Sequence, residues 1–371
     1  MTVKWNGMKR AAILSLLVFL FACSPASRPP SVSHEEALGE IRLQKQIAVR
    51  ERMKQLSRLY DVGYPIMAAN APLCGEKVWP HHGMMLESLS NVGERFKDAM
   101  RIFYGVENQL TAAHIVKGSP ADGKISSGDQ IVRVNGKSIP SGAKGKKAFL
   151  EAIWKEGRDV TLPVTITIKR GRNAKEQDVV IHPVAGCASY LALEEDDTVN
   201  AYANATSIVV TSGMMRFADT DDALAMTFAH ELAHNARGHI ESQIMNEFLA
   251  SVISVIVESG TGIDFSDFLS DIGSNAFSQS FESEADYVGL YMLARAGYDV
   301  DKAIESERRF AAIHPDAIHI DPDSSHPSTA QRFIALKKAA AEIAAKKAKG
   351  LPLLPEEKSG ADIMRDLDRI N

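Results

Sequence analysis

The run His230-Glu231-Leu232-Ala233-His234 limits this chain more than any other stretch. Residues four apart on an α-helix lie one above the other on the same face. On a helix, His230 and His234 therefore aim both imidazoles at one point and can hold a Zn²⁺ from one side. Glu231 lies beside that point, where a base for a water belongs. The pattern is chemistry only if the segment is helical, and the flanking residues predict that it is. Asp219, Thr220, Asp221 and Asp222 supply an N-cap and an acidic first turn. Leu224, Phe228, Leu232 and Ile240 form an apolar face, and Gly238 suits the helix end.

A catalytic zinc takes three protein ligands and keeps a position open. The third is expected further along, in Phe281-Glu282-Ser283-Glu284-Ala285-Asp286-Tyr287, which opens a second helix. Glu282 and Asp286 are one turn apart and share a face. That spacing suits one carboxylate as ligand and a second that orients a ligating histidine through its other ring nitrogen. Glu284 is expected to point elsewhere. An acidic helix start that merely complements the dipole has the same composition; the HExxH run upstream decides against it. The remaining histidines, including His239, which lies five residues past His234, and the His81-His82 pair, read as surface or capping residues.

Taken together, HELAH, then ESEAD, then Ser325-His326-Pro327 with Arg332 beyond, resemble the HtpX/BepA-type metallopeptidases. These are relatives of the CAAX prenyl proteases within the gluzincins. Val199-Asn200-Ala201-Tyr202-Ala203 and Ser207–Thr211 also match that pattern. The resemblance covers 188–345. It implies one Zn²⁺ per chain held by His230, His234 and Glu282, with Glu231 as catalytic base and Asp286 supporting the site. It also implies His326 as a removable ligand or a group acting in the transition state. The strand Ser207–Thr211 is expected to offer its edge to an extended substrate. No repeat array is seen and no transmembrane segment beyond the N-terminal run, unlike BepA and HtpX respectively.

Lys4, Lys9 and Arg10 precede the apolar run Ala11–Phe21, which is shorter than the roughly 20 residues a spanning helix needs. It has the form of a signal h-region. It ends at Leu20-Phe21-Ala22-Cys23, which resembles a bacterial lipobox. In that reading 1–22 is a lipoprotein signal peptide, Cys23 carries the lipid, and 23–33 is a tether. The protein is then a periplasmic, membrane-anchored one. The remaining cysteines, Cys74 and Cys187, are free to pair in an oxidising compartment. A formal charge of −5 gives no basic footprint, so nucleic acid is not an expected partner.

Between those cysteines, Gly128–Lys137 reads as a turn, an alternating strand and an Asn-Gly hairpin. Lys146–Lys155 reads as a short helix, and Val164–Arg170 and Gln177–His182 as strands. The segment 100–184 resembles a PDZ domain of the bacterial protease-linked type, which implies a peptide ligand added as a strand. Arg101–Gly105 is the nearest stretch to a carboxylate-binding loop. Glu35–Leu59 is helical by period, Phe248–Val257 is an apolar run between the ligand segments, and Ala335–Lys349 is an Ala/Lys helix.

The expected architecture is α+β: an N-terminal helical segment (34–99), the β-rich PDZ-like insertion (100–184), a mostly helical zincin-type domain with a small sheet (188–345), and a tail (346–371). The expected function is zinc-dependent endoproteolysis of misfolded or misassembled envelope polypeptides. The alternative is an envelope chaperone or assembly factor with secondary proteolysis.

Overall fold

A computed structural model of the chain describes residues 27, 29–153, 159, 161–171, 174–245, 279–313 and 330–358. The Cys23 lipobox, the Phe248–Val257 run, His326 with its Ser-His-Pro motif, and the tail beyond 358 lie outside the described residues. Helix α1 (His34–Ala69) runs a further ten residues past the expected end at Leu59. Its apolar stripe explains the extension. Val49, Met53, Leu56, Val62, Ile66 and Met67 recur at helical spacing, and all are buried. At its end, the fully buried Asn70 donates from Nδ2 to Ile66 O (2.7 Å) and Met292 O (2.9 Å), which ties the helix terminus to a later helix.

Strand β1 (Val78–His81) pairs antiparallel with β8 (Val184–Cys187), opposing Val78 to Cys187. Beside this neck a disulfide joins Cys74 and Cys187, with Cα atoms 5.5 Å apart. The intervening chain forms its own antiparallel sheet in the order β2-β3-β4-β6-β7, with β5 (Lys137–Ser138) against β4. The strands are β2 (Met84–Glu87), β3 (Thr111–Ile115), β4 (Gln130–Val134), β6 (Val164–Lys169) and β7 (Glu176–Ile181). Helix α2 (Lys97–Tyr104) precedes β3, and α3 (Gly145–Ile153) covers the sheet with Phe149 and Ile153 buried against it. Met84, Leu110, Ile131, Phe149, Ile166 and Ile181 belong to a core separate from the rest of the protein.

Two expectations change here. The sheet begins at β2, well before residue 100, so the segment 34–99 is not purely helical. Arg101–Tyr104, the stretch nearest to a carboxylate-binding loop in sequence, is the end of α2 and not a loop.

The second sheet holds β9 (Tyr190–Glu194), β10 (Ala201–Ala203) and β11 (Ser207–Thr211) in the order β10-β11-β9. β11 is antiparallel to β10 and parallel to β9. It is the central strand, with Ile208 and Val210 buried, and has no edge to offer a substrate. Helices α4 (Ser212–Phe217), α5 (Asp221–Arg237), α6 (Gln279–Arg295), α7 (Val300–Ile313) and α8 (Ala330–Ala348) complete the domain. α5 lies at its centre, with Leu224, Phe228 and Leu232 fully buried and Ile240 just beyond it also buried. Among the described residues no helix is long and apolar enough to cross a membrane.

Candidate metal centre

Helix α5 starts at Thr220, whose hydroxyl accepts from the Ala223 N–H at 3.2 Å, and Asp221 and Asp222 fill its first turn. It stops at Gly238, which takes φ +70 in the left-handed region. Between these ends His230, Glu231 and His234 all face inward and are buried. Helix α6 packs on α5 at the same level because Gly289 has no side chain. A Cβ there would lie 3.0 Å from Ala229 O and from the His230 backbone nitrogen.

That close approach brings Glu282 beside both imidazoles. The two Nε2 atoms are 3.1 Å apart, His230 Nε2 is 3.5 Å from Glu282 Oε2, and His234 Nε2 is 3.4 Å from Glu282 Oε1. Zinc bonds to nitrogen and oxygen of about 2.0–2.1 Å, at tetrahedral angles, place donor atoms about 3.3 Å apart. The triangle in this protein has that size, and its three residues are the one group among the described residues able to hold a metal ion. The donor set, two imidazoles and a carboxylate, also suits zinc.

The surroundings are charged and bonded throughout. His230 Nδ1 lies 3.0 Å from Asp286 Oδ1. Asp286 in turn accepts two bonds from Arg332, from Nε and Nη2 at 2.7 Å each, and the third guanidinium nitrogen reaches Glu282 Oε2 at 3.0 Å. Burial alone would drive the His230 imidazole down, but the hydrogen bonds and charges of Asp286 and Glu282 overcome it and hold it well above its ordinary value. Burial likewise opposes ionisation of Asp286, and the Arg332 guanidinium brings its carboxyl below the usual value. A site that favours a positive charge on a ligand in this way also favours a bound cation.

His234 is held differently. Its Nδ1 lies 3.0 Å from Nδ1 of His239, and His239 Nε2 lies 3.1 Å from Glu284 Oε2. His239 does not fit its sequence reading: it is 1% exposed instead of superficial. Glu284 points away from the Glu282–Asp286 face, as expected, and its partner there is His239. Counting helical positions past His234 fails because Gly238 breaks the register before His239. The acidic spacing in ESEAD and the HP-to-Arg332 interval were visible in the sequence, but the roles of Glu284 and Arg332 were not.

Beside His230 and Glu231 is a small cavity of about 50 Å³, large enough for water. Its walls include Asn200 and Ala201 at β10, Met214, Phe217, Thr227, Phe310 and Arg332. Strand β10, at the sheet margin among the described strands, is therefore the strand next to the catalytic candidates.

Residues 183–340 match the model of peptidase family M48. The matched segment contains the whole donor triangle, Glu231, Asp286 and Arg332. The chain is also similar to the mitochondrial metalloendopeptidase OMA1 of Arabidopsis thaliana, 25% identical over 198 residues, which is 53% of this chain and 40% of that protein. OMA1 of Schizosaccharomyces pombe is 30% identical over 145 residues, covering 37% of this chain and 42% of its own. The beta-barrel assembly-enhancing protease of Escherichia coli (strain K12) is 26% identical over 121 residues, 29% of this chain and 25% of that one. The chain thus spans well under half the length of these relatives. The M48 match and these relatives support a metalloprotease.

Proposed function

We propose that this chain is a zinc-dependent endopeptidase of the bacterial cell envelope, anchored by a lipid on Cys23, that cleaves misfolded or misassembled polypeptides. The observation that carries the chemistry is the donor triangle of His230, His234 and Glu282, with Glu231 next to it. When bound, zinc supplies Lewis acidity, polarising the scissile carbonyl and lowering the pKa of a water. Glu231 takes the proton of the attacking water at its carboxylate and later gives it to the leaving amine. Asp286, fixed by two bonds from Arg332, holds His230 Nδ1 and so aims its Nε2. An extended substrate adds along β10, whose partner among the described strands is β11 alone.

The envelope location rests on the Leu20–Cys23 motif, and the quality-control role on the resemblance described above. The PDZ-like reading of the insertion is supported by its own core and by β2 at the margin of its sheet. A groove of about 990 Å³ runs beside β2, lined by Met84, Leu86, Phe149, Ile153, Trp79 and Tyr190. It suits a polypeptide ligand that helps select or regulate substrates. The test uses the purified full chain on a denatured protein, with metal analysis. Wild type should hold one zinc and cleave. Glu231→Gln should keep the zinc and lose cleavage by about 10²–10⁴-fold. A Glu231→Gln protein that cleaves like wild type refutes the mechanism. One that still restores envelope function in cells supports an assembly-factor role instead.

A further inference from the structure

The two imidazoles of the donor triangle are braced by unlike devices. His230 meets a carboxylate directly, whereas His234 meets a second imidazole with a carboxylate behind it. We infer that His239 and Glu284 form a positioning relay that fixes the tautomer and the aim of His234. The inference rests on the zinc reading above, because it assigns His234 Nε2 to the metal.

The proton assignments follow in one direction. A lone pair of Nε2 committed to a cation leaves the His234 proton on Nδ1. That N–H faces His239 Nδ1 at 3.0 Å, so His239 accepts there and its own proton sits on Nε2. The His239 Nε2–H then faces Glu284 Oε2 at 3.1 Å, where a carboxylate can only accept. All three groups are satisfied by one arrangement, and the wrong tautomer of His234 would set two acceptors against each other.

The relay is rigid at its middle and wet at its end. His239 is buried and stacks on Phe281, with ring centres 4.6 Å apart and planes 16° from parallel. Phe281 immediately precedes Glu282, so the ring that pins His239 adjoins the third ligand in the chain. The Glu284 side chain is 45% exposed, and Arg237 Nε lies 3.7 Å from its other oxygen. Gly238 supplies the turn that brings His239 back toward His234. Past the φ +70 residue the backbone is helical again from His239.

Substitutions separate orientation from packing. His239→Phe keeps a flat ring on Phe281 and deletes the acceptor. His239→Asn loses the stack but places an amide oxygen near the position of Nδ1. The full chain is stripped of metal, and zinc affinity is measured by competition with a chromogenic chelator. Cobalt is then added and its visible absorption recorded. Wild type should bind one zinc. His239→Phe should bind about 10–100-fold more weakly with an altered cobalt spectrum, and His239→Asn should recover most of the affinity and the wild-type spectrum.

Wild-type affinity and spectrum in His239→Phe, or a strong His239→Phe with a weak His239→Asn, overturns the relay and leaves packing as the role of His239. Should His239→Phe not fold, Glu284→Ala on the exposed end serves. It should weaken zinc several-fold, and no change overturns the relay. A wild-type chain that binds no zinc removes the metal reading itself, a result distinct from an indifferent His239→Phe.

Discussion

Gly289→Ala is the smallest change that tests whether the spacing of α5 and α6 sets the metal triangle. The added methyl would sit 3.0 Å from Ala229 O and His230 N and 3.1 Å from Ala229 C, all of them backbone atoms of α5. Contacts this short are tighter than side-chain carbons ordinarily make, so the helices must separate locally by a few tenths of an ångström. Two effects oppose each other in stability. Alanine is better than glycine inside a helix by about 1 kcal/mol. Overpacking a tight contact costs about 1–3 kcal/mol. The net is a loss of about 0–2 kcal/mol. Metal binding has no such offset. A shift of this size takes up most of the about 0.5 Å within which a constellation of this kind must be held, and Glu282 rides on the helix that is pushed away while His230 rides on the other. Zinc affinity should fall about tenfold, which is about 1.4 kcal/mol. The assay is chelator competition for zinc beside thermal melting of the metal-stripped protein. A Gly289→Ala protein that melts higher than wild type and binds zinc as tightly would refute the reasoning, since it would show that α5 gives way without cost.

Three further outcomes are expected. Glu282→Ala should lose zinc, as judged by metal analysis after dialysis, because two imidazoles alone hold the ion poorly; full occupancy would place the third ligand elsewhere. Replacing both Cys74 and Cys187 with serine opens a loop of 113 residues and should lower stability by at most about 5 kcal/mol in denaturant titrations, with zinc stoichiometry unchanged. Burial, then the nearby His81 and Lys146, push the His82 imidazole down to about 3, and its Nδ1 already accepts the Met84 N–H at 3.0 Å. The folded protein thus resists the proton that the unfolded chain accepts below about 6.5. His82 should therefore contribute stability above that pH and lose it progressively as pH falls toward 3, by at most about 1.4 kcal/mol per unit. His82→Asn should flatten that slope in urea midpoints, and an unchanged slope would count against it.

What the sequence made legible is what local rules govern. The cap at Thr220, the apolar face of α5 and the stop at Gly238 are all encoded within a few residues, so the helix and the direction of its histidines could be read directly. The strands β4, β6 and β7 carry their own alternation. Position within a sheet is a long-range property. Nothing in Ser207–Thr211 says that β9 will flank it on the other side, and this is why the edge was assigned to the wrong strand. β2 escaped the insertion because the loop, turns and helix of 88–110 separate it from β3. His239 was misread for a geometric reason: periodicity extrapolates a straight helix, and one left-handed residue ends its validity. Arg332 stands in the motif that carries the resemblance, but it comes from α8, more than forty residues after Glu282 and Asp286, and nothing local says that its guanidinium reaches them.

The disulfide at the neck of the insertion changes how the chain can tolerate variation. In an open chain, bringing the ends of an inserted segment together costs conformational entropy that grows with its length, about 0.6 kcal/mol for each doubling. With Cys74 and Cys187 bonded and their Cα atoms 5.5 Å apart, those ends are already together in the unfolded protein. The closure entropy of the segment is thereby taken out of the folding balance, whatever its length. Loops of this segment that lie away from the main core can lengthen at little closure cost as long as the bond remains oxidised, whereas Met85, Leu89, Met100 and Ala113 pack into that core and fix the part of the segment that cannot be exchanged freely.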